Sequence, residues 1–206
     1  MIIMNMEQRS ENWFAEKCGR FGASKFTELM SGLTTKGYKS LIADKAGEVI
    51  TGEIEEGYTD ANMQRGQDLE PEAKREFESV FGINLVDVGL CLPDDPELSE
   101  WVGVSPDALF PDMITPLEIK CPLMKTHLNY ILADRLPNEY KWQVQGQLFV
   151  TGAPFAYFMS YYPGMKPFII KVSPDEQMQA DLKIRFHKAI EDVKAILKLY
   201  KNFESI

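Results

Sequence analysis

Residues 103–122 read GVSPDALFPDMITPLEIKCP, and this stretch decides the fold expected of the chain. Asp107 closes one apolar segment, and after ten intervening residues Glu118 and Lys120 follow on a second. Side chains alternate along a strand with a period of two, so Glu118 and Lys120 point to the same face. Two carboxylates are hard oxygen ligands of the kind that Mg²⁺ prefers, and the lysine adds a positive charge beside them. The stretch therefore predicts a metal-dependent site for phosphate chemistry.

The spacing has a simpler explanation, because acids and a lysine at loose spacing occur by chance in many proteins. In that explanation Glu118 and Lys120 form a surface salt bridge on an edge strand. It does not account for Asp107, which follows Ser-Pro at the end of the apolar residues 101–104. Prolines at positions 116 and 122 bound the second segment, as expected at strand ends.

Composition is that of an ordinary globular protein. We expect one domain over residues 1–206, long enough for a sizeable core, with 45% hydrophobic and 26% charged residues. No apolar run approaches the roughly 20 residues of a membrane span. The start, MIIMNMEQRSENWF, lacks the basic region of a signal peptide. We therefore expect a cytoplasmic protein with no membrane partner.

Cysteine and histidine usage argues against other kinds of site. Cys18, Cys91 and Cys121 are far apart and form no C-x-x-C pair, which disfavours zinc and iron–sulfur centres. His127 and His187 have no ligand-like partner at helical spacing. Metal–carboxylate chemistry is the main candidate that remains.

The net charge of −9, from 22 basic and 31 acidic side chains, counts against a nucleic-acid partner. Polyanion binders usually carry a basic balance. An enzyme can nevertheless confine its positive charge to a channel while its outer surface stays acidic, and bound metal would neutralise some of the acids. The charge therefore leaves a DNA substrate open.

Hydrophobic periodicity predicts an α/β protein in which a mixed sheet is flanked by helices. Helices come first, then a meander of strands, then a helix, two strands and a long final helix. Helices are predicted at residues 23–30, 38–52, 67–81, 125–133, 138–151 and 174–200, strands at about 84–92, 99–104, 107–110, 116–121, 155–162 and 167–172, and an acidic exposed loop at 52–60.

Two helices carry further candidates. Glu70 stands near the start of the predicted helix 67–81, where the helix dipole alone would favour an acid. Tyr140, Gln143 and Gln147 share one face of the predicted helix 138–151. Their polar groups suit hydrogen bonding to phosphates or waters, or else local contacts of a partly buried helix.

A small basic cluster lies near the start of the chain. Lys17, Arg20, Ser24 and Lys25 surround the N-terminus of the predicted helix 23–30. A hydroxyl and cations at a helix N-terminus can bind a phosphate. A solvated turn explains the same residues equally well.

The order of several blocks resembles a known family. These are RGQDLEPEAKREFE at 65–78, VSPDALF at 104–110, LEIKCP at 117–122, EYKWQVQGQLFVTG at 139–152 and YYPGM at 161–165. They resemble the lambda exonuclease and YqaJ-type viral recombinases, which belong to the RecB-like nucleases with a restriction-endonuclease-like PD-(D/E)xK core. The match runs in order from about Trp13 to the final helix.

The resemblance implies a phage-type exonuclease that degrades double-stranded DNA from 5′ to 3′. It would act on DNA ends with Mg²⁺, or with Mn²⁺ in its place, and leave 3′ single-stranded tails for recombination by strand annealing. A ring-shaped homotrimer, a partner single-strand annealing protein and a location in the host cytoplasm are also implied, although no motif shows them.

The resemblance also assigns roles at the metal. Asp107, Glu118 and the backbone carbonyl of Ile119 would hold Mg²⁺. Lys120 would orient the attacking water and stabilise charge. Three more residues match the family's catalytic positions: Glu70, Gln143 and Tyr140.

A pocket for a 5′-phosphate would fall on Ser105, Ser24 and Lys17. Lys17 stands where the best-known family member has arginine, so bidentate contact is lost, and the neighbouring Arg20 could substitute. Ala108 stands where the family often has glycine, which we expect to perturb the turn only slightly.

Two other functions remain open. A sequence-specific endonuclease on the same core would need an extra segment to read bases, and 206 residues leave little room for one. A non-catalytic module that binds DNA ends would tolerate loss of Asp107, Glu118 or Lys120, yet all three are present.

Overall fold

The computed structural model describes residues 1–55 and 61–203. Most of the predicted loop 52–60 lies outside the described residues, and residues 53–55 have no regular structure. No helix in the described part of the chain is both long enough and apolar enough to cross a membrane. The helices are α1 Glu11–Lys17, α2 Phe26–Leu29, α3 Lys36–Thr51, α4 Ala61–Phe81, α5 Pro96–Trp101, α6 Met124–Ala133, α7 Lys141–Thr151 and α8 Glu176–Lys201, with short 3₁₀ turns at Ala23–Lys25 and Asn138–Tyr140.

The strands form one four-stranded sheet and two small pairs. In the larger sheet the order is β5-β6-β7-β8, with β6 and β7 parallel and the outer pairs antiparallel. The pairs are β1 with β3, antiparallel, and β2 with β4, parallel. The strands are β1 Ile2–Met4, β2 Phe21–Gly22, β3 Leu90–Leu92, β4 Val102–Gly103, β5 Ala108–Leu109, β6 Pro116–Lys120, β7 Ala156–Ser160 and β8 Phe168–Val172.

Helices cover both faces of the larger sheet, as predicted. Leu117 and Ile119 of β6 pack against Phe77 of α4 in one apolar cluster. Phe158 of β7, which pairs with Glu118, packs against Val144 of α7 in another. The alternation along β6 therefore directs Glu118 and Lys120 towards α7 and the apolar residues towards α4.

Close packing at α7 depends on a glycine inside the QVQGQ block. A Cβ atom at Gly146 would lie 2.1 Å from Cδ2 of Phe26, which is fully buried. No side chain fits there, so Gly146 lets α7 approach α2. This contact joins α7 to the helices near the start of the chain.

The structure corrects the predicted start of α4. The helix begins at Ala61, not at residue 67, so Pro71 lies in its interior and not in its first turn. Glu70 therefore lies about two and a half turns beyond Ala61. The explanation of Glu70 as an acid favoured by the helix dipole is wrong for this position, because the dipole effect is confined to the first turn.

Two predicted strands are also corrected. Residues 96–101 form α5, not the first half of a strand at 99–104, because Asp95 caps a helix there by accepting from Glu97 N and Leu98 N. Pro96 occupies the first turn, where its missing N–H costs nothing. Of the predicted strand 84–92 only β3 is regular, with an isolated bridge from Val86 to Leu109.

The start of the chain differs from the prediction as well. The predicted helix 23–30 is a 3₁₀ turn followed by the short α2. Neither β1 nor α1 was predicted, although Ser10 caps α1 by accepting from Trp13 N. These short elements position Lys17 and Ser24 on either side of β2.

Candidate active site

Asp107 is held against the middle of β6. It lies just before β5, whose antiparallel pairing with β6 sets their register. The Asp107 N–H donates to the carbonyl of Leu117 at 3.1 Å, and Oδ2 of Asp107 accepts from the Ile119 N–H. The strand pairing therefore brings together the two acids that are eleven positions apart in the sequence.

Glu118 is buried, at 1% exposure, and three donors surround its carboxylate. The Gln143 amide donates to Oε1, the Gln147 amide donates to Oε2, and the Lys120 ammonium pairs with Oε1. Both glutamines come from α7, which lies over this face of β6. Buried charge is tolerated only when it is paired and hydrogen-bonded, and Glu118 meets that condition.

The two acids affect each other electrostatically. Burial raises the pKa of Asp107 well above its usual value, and the Glu118 carboxylate raises it further, while Lys120 opposes both. For Lys120, burial lowers the pKa, but the carboxylates of Glu118 and Asp107 outweigh it and the net pKa is raised. Lys120 therefore stays protonated, and further positive charge nearby would favour the ionised form of Asp107.

Glu70 contributes to the same negative region from α4. Its carboxylate lies 3.6 Å from Arg9 Nη2 and 3.4 Å from Lys74 Nζ. Its charge also helps to raise the pKa of Asp107. The structure thus places Glu70 in electrostatic reach of the two acids while pairing it with its own cations.

Tyr140 forms a wall of the site next to Lys120. The Lys120 ammonium lies 5.3 Å from the centroid of the Tyr140 ring, which stacks on Phe158 at 5.3 Å. A cation over an aromatic face is attracted by it. Tyr140 therefore limits the directions in which Lys120 can turn.

The residues present fit a hard divalent cation. Asp107, Glu118 and the Ile119 carbonyl supply only oxygen, the donor that Mg²⁺ selects, and Mg²⁺ commonly keeps several waters. Within residues 1–55 and 61–203 no group of three His, Cys, Asp or Glu side chains is close enough to hold a metal. A cation here would therefore rest on two side chains, one backbone oxygen and water.

A second group of candidate residues meets around Trp13. The indole N–H of Trp13 donates to Ser105 Oγ and to the Gly89 carbonyl, each at 3.0 Å. Lys17 Nζ lies 4.2 Å from the centroid of the same ring. Lys17 and Ser24 line one cavity of about 700 Å³, and Ser105 is not among its lining residues. The structure thus links Ser105 to Lys17 through an indole that the sequence did not single out.

Burial and, to a lesser extent, the nearby Lys45 lower the pKa of Lys17 to about 8. Lys17 is therefore mostly charged at neutral pH and loses its proton at a lower pH than an ordinary lysine. An incoming anion would favour the charged form.

Arg20 is placed away from that cavity. Its guanidinium donates to the carbonyl of Ser99 at 3.1 Å and to the backbone and side chain of Glu16. It is not among the residues that line the cavity. Arg20 ties the end of α1 to α5.

Comparison with known proteins identifies the family. Residues 12–154 match the YqaJ-like viral recombinase domain. The chain belongs to this family. Comparison of the sequence with curated proteins gives no significant match.

Solved structures resemble this YqaJ-type chain over most of its length. The alkaline exonuclease LHK-Exo from Laribacter hongkongensis is 28% identical, with a TM-score of 0.83 over 94% of this chain and 97% of that one. LHK-Exo in complex with dAMP is 27% identical, with a TM-score of 0.84 and the same coverage. A phage-related exonuclease from Haemophilus somnus 129PT shares the fold. It is 13% identical, with a TM-score of 0.66 over 88% of this chain and 96% of that one. The expected family and its restriction-endonuclease-like fold are confirmed.

Two residues of this YqaJ-type site were missed by the assignment of roles. Gln147 was recognised on the same helix face as Gln143 and Tyr140 but received no role, although its amide contacts Glu118 directly. Its spacing of four from Gln143 was the available signal. Trp13 carried no local signal, because its contact with Ser105 spans 92 positions.

Proposed function

We propose that this protein is a Mg²⁺-dependent exonuclease that degrades double-stranded DNA from 5′ to 3′. The 3′ single-stranded tails that it leaves would serve recombination by strand annealing. The observation that carries the proposal is Glu118, buried between two amides and Lys120 and facing Asp107 on paired strands. Membership of the YqaJ family and the likeness to an alkaline exonuclease support a nuclease.

Asp107, Glu118 and the Ile119 carbonyl would hold the Mg²⁺ ion, and Mn²⁺ could replace it. When bound, the cation supplies Lewis acidity and charge neutralisation at the scissile phosphate. The raised pKa of Asp107 favours the proposal, because two apposed carboxylates gain most from a nearby cation.

Lys120 acts as a fixed positive charge and not as a base. The carboxylates around it hold its proton, so it stabilises negative charge that develops on the phosphate and orients the attacking water. Tyr140 restricts its position from the side.

Gln143, Gln147 and Glu70 support the acids. The two amides hold both oxygens of Glu118 and so fix the plane of its carboxylate. Glu70 adds negative charge from α4 on the side of Asp107. Support of this kind keeps ligating groups oriented.

Polarity would come from a pocket for the terminal 5′-phosphate, formed by Ser105, Ser24 and Lys17. The contacts of Trp13 with Ser105 and Lys17 support a common pocket. Arg20 is occupied with Ser99 and Glu16, so Lys17 would take the place of the family's arginine without its help.

We also propose a homotrimer that encircles the duplex, in the cytoplasm of the host cell if a phage encodes the chain. A ring would keep a protein of net charge −9 on DNA, because enclosure replaces part of the missing electrostatic attraction. A single-strand annealing protein is the expected partner for the tails.

Digestion of linear duplex labelled at the 5′ or the 3′ end tests the proposal. With Mg²⁺ we expect early release of the 5′ label from linear DNA, no cutting of closed circular DNA, and no release in the presence of chelator. Cutting of the circle would favour a sequence-specific endonuclease. Binding to ends without release of nucleotides would favour a non-catalytic module.

A further inference from the structure

A buried ion pair lies directly behind the end of α1. Lys45 and Glu48, one turn apart on α3, are 7% and 9% exposed. Lys45 Nζ lies 2.7 Å from each carboxylate oxygen of Glu48. A buried pair adds little net stability, because the loss of hydration offsets the attraction. Its position therefore needs another explanation.

Glu48 also fixes the turn that follows Lys17. Its Oε2 accepts the Gly19 N–H at 2.8 Å, and its backbone carbonyl lies 3.4 Å from Cys18 Sγ. Gly19 has φ +77°, and a Cβ atom there would lie 2.9 Å from Val49 Cγ2. Only glycine allows so close an approach in this conformation. The turn after Lys17 is thus held tightly against α3.

The same pair faces the cavity proposed to take the terminal phosphate. Lys45 and Glu48 line it together with Lys17 and Ser24. Burial of the pair excludes water from one wall of this cavity, which strengthens the effect of its charges on Lys17. Among the described residues, the other charged ones that line the cavity are Lys25, Asp44, Glu53 and Glu55.

We propose that Lys45 and Glu48 are positioning residues of the terminal-phosphate cavity. Glu48 holds the turn that places Lys17, and the two charges together set the electrostatic potential at the Lys17 ammonium. The inference rests on the proposed function, because it takes the phosphate pocket of Lys17, Ser24 and Ser105 as given.

The charges of the pair act on Lys17 with opposite sign. Burial is the largest of the causes that together lower the pKa of Lys17 to about 8; Lys45, Arg9 and Lys25 act in the same direction, and Glu48 opposes them. In the free protein the ammonium is therefore mostly charged below about pH 8, where it would attract a phosphate, and mostly neutral above it.

The test is the ratio of kcat/KM on duplex with 5′-phosphate ends to kcat/KM on duplex with 5′-hydroxyl ends. It is measured between about pH 6.5 and 9.5, where kcat/KM reports ionisation of the free enzyme. In the unmodified protein we expect the ratio to be about tenfold or more at neutral pH and to fall near pH 8.

The two single variants should shift this fall in opposite directions. Lys45→Met removes a positive neighbour of Lys17, so the pH at which the ratio falls should rise by about one. Glu48→Gln removes a negative neighbour, so that pH should drop by about one. Lys39→Met, on the exposed side of α3, should leave the profile unchanged. Unmoved profiles, or shifts in the same direction, would overturn the inference, since a merely structural pair predicts no opposite shifts.

A double variant covers the case in which the single variants do not fold. Lys45→Glu with Glu48→Lys keeps a neutral pair, but the new lysine cannot accept the Gly19 N–H. We expect this variant to fold, to degrade DNA and to lose the preference for phosphorylated ends. Retention of the full preference would overturn the inference.

The same experiment distinguishes a failure of the proposed function from a failure of this inference. If the unmodified protein degrades no linear duplex, the exonuclease assignment is wrong. If it degrades both kinds of end equally, the exonuclease assignment stands, while the phosphate pocket and this inference are both rejected.

Discussion

The side-chain amide of Gln147 donates a hydrogen bond to Oε2 of Glu118 at a point where both residues are almost fully buried. Gln147 is inaccessible to DNA, so any influence on catalysis is indirect, through Glu118 or through the packing of α7. Its own Oε1 has no hydrogen-bond partner in the described part of the chain. Leaving a buried amide oxygen without a partner costs stability, so we expect Gln147 to be there for its hydrogen bond to Glu118.

Gln147→Leu should therefore lower kcat with little change in the KM for duplex. A hydrogen bond to a charged group contributes about 1.5–3 kcal/mol, so a loss of about tenfold or more is expected. The control is Gln145→Leu on the same helix, whose amide bonds Ser173 and Asp175, away from Glu118. Equal loss of kcat in both variants would show that only the stability of α7 matters.

Asp107→Asn and Glu118→Gln should each abolish hydrolysis, because each removes a charge from the proposed cation site. The free energy of unfolding in chelator should not fall for Asp107→Asn. Burial and Glu118 raise the pKa of Asp107, so the folded state holds the proton more tightly than the unfolded state, and stability falls as the pH rises above the ordinary carboxyl pKa. The uncharged asparagine avoids that loss. Glu100→Gln, at an exposed position, is the matched control. Near wild-type digestion by folded Asp107→Asn would reject the site.

Lys120→Met should lose hydrolysis while cation binding persists or tightens. The substitution removes a positive charge next to both proposed ligands, which can only favour a second cation. Titration calorimetry with Mn²⁺, beside turnover, measures the two properties separately. Lys198→Met, exposed on α8, should change neither. Simultaneous loss of binding and turnover would make Lys120 a structural residue.

Lys17→Ala should reduce the preference for phosphorylated 5′ ends. A charge-assisted contact contributes about 1.5–3 kcal/mol, so the rate ratio should shrink about tenfold or more. Arg20→Ala provides the comparison, because its guanidinium is engaged with Ser99 and Glu16. If Arg20→Ala has a larger effect than Lys17→Ala, then Arg20, and not Lys17, takes the place of the family's arginine.

Light scattering coupled to size exclusion should give the mass of three subunits at micromolar concentration. Closed rings use head-to-tail interfaces that a single subunit leaves unfilled. Lys125, Arg135 and Lys141 are exposed near the catalytic strand and α7, and we expect them to face the channel. Processive digestion by a species of one or two subunits would refute the ring.

Local patterns were sufficient for the strand that carries Glu118 and Lys120. Alternation between prolines predicted a strand at 116–121, and β6 spans Pro116–Lys120. The juxtaposition of Asp107 with Glu118 followed from the same stretch, because β5 and β6 are adjacent in sequence and pair directly. The placement of Gln143 near Glu118 needed the family resemblance, since only the fold lays α7 over β6.

Tertiary contacts explain the failures. Gly66 disfavours a helix across the predicted start of α4, but Arg65 Nη1 bonds the carbonyls of Cys121 and Pro122 at 3.0 and 3.2 Å. Those contacts stabilise the helix on the N-terminal side of the glycine. At α5 the capping signal of Asp95 and Pro96 was present, but the apolar residues 101–104 suggested a continuous strand. The cap favours a helix and the apolar run favours a strand, and the six residues after the cap form the helix.

Through Trp13, the first helix of the chain becomes part of the proposed pocket for a DNA end. One indole ring touches Lys17 on its own helix and Ser105 beside the catalytic strand. Any local unfolding that releases α1 would separate both at once, while β6 and its carboxylates stayed in place. Local unfolding of these first residues would therefore leave a protein that still hydrolyses DNA but no longer prefers one end of a strand.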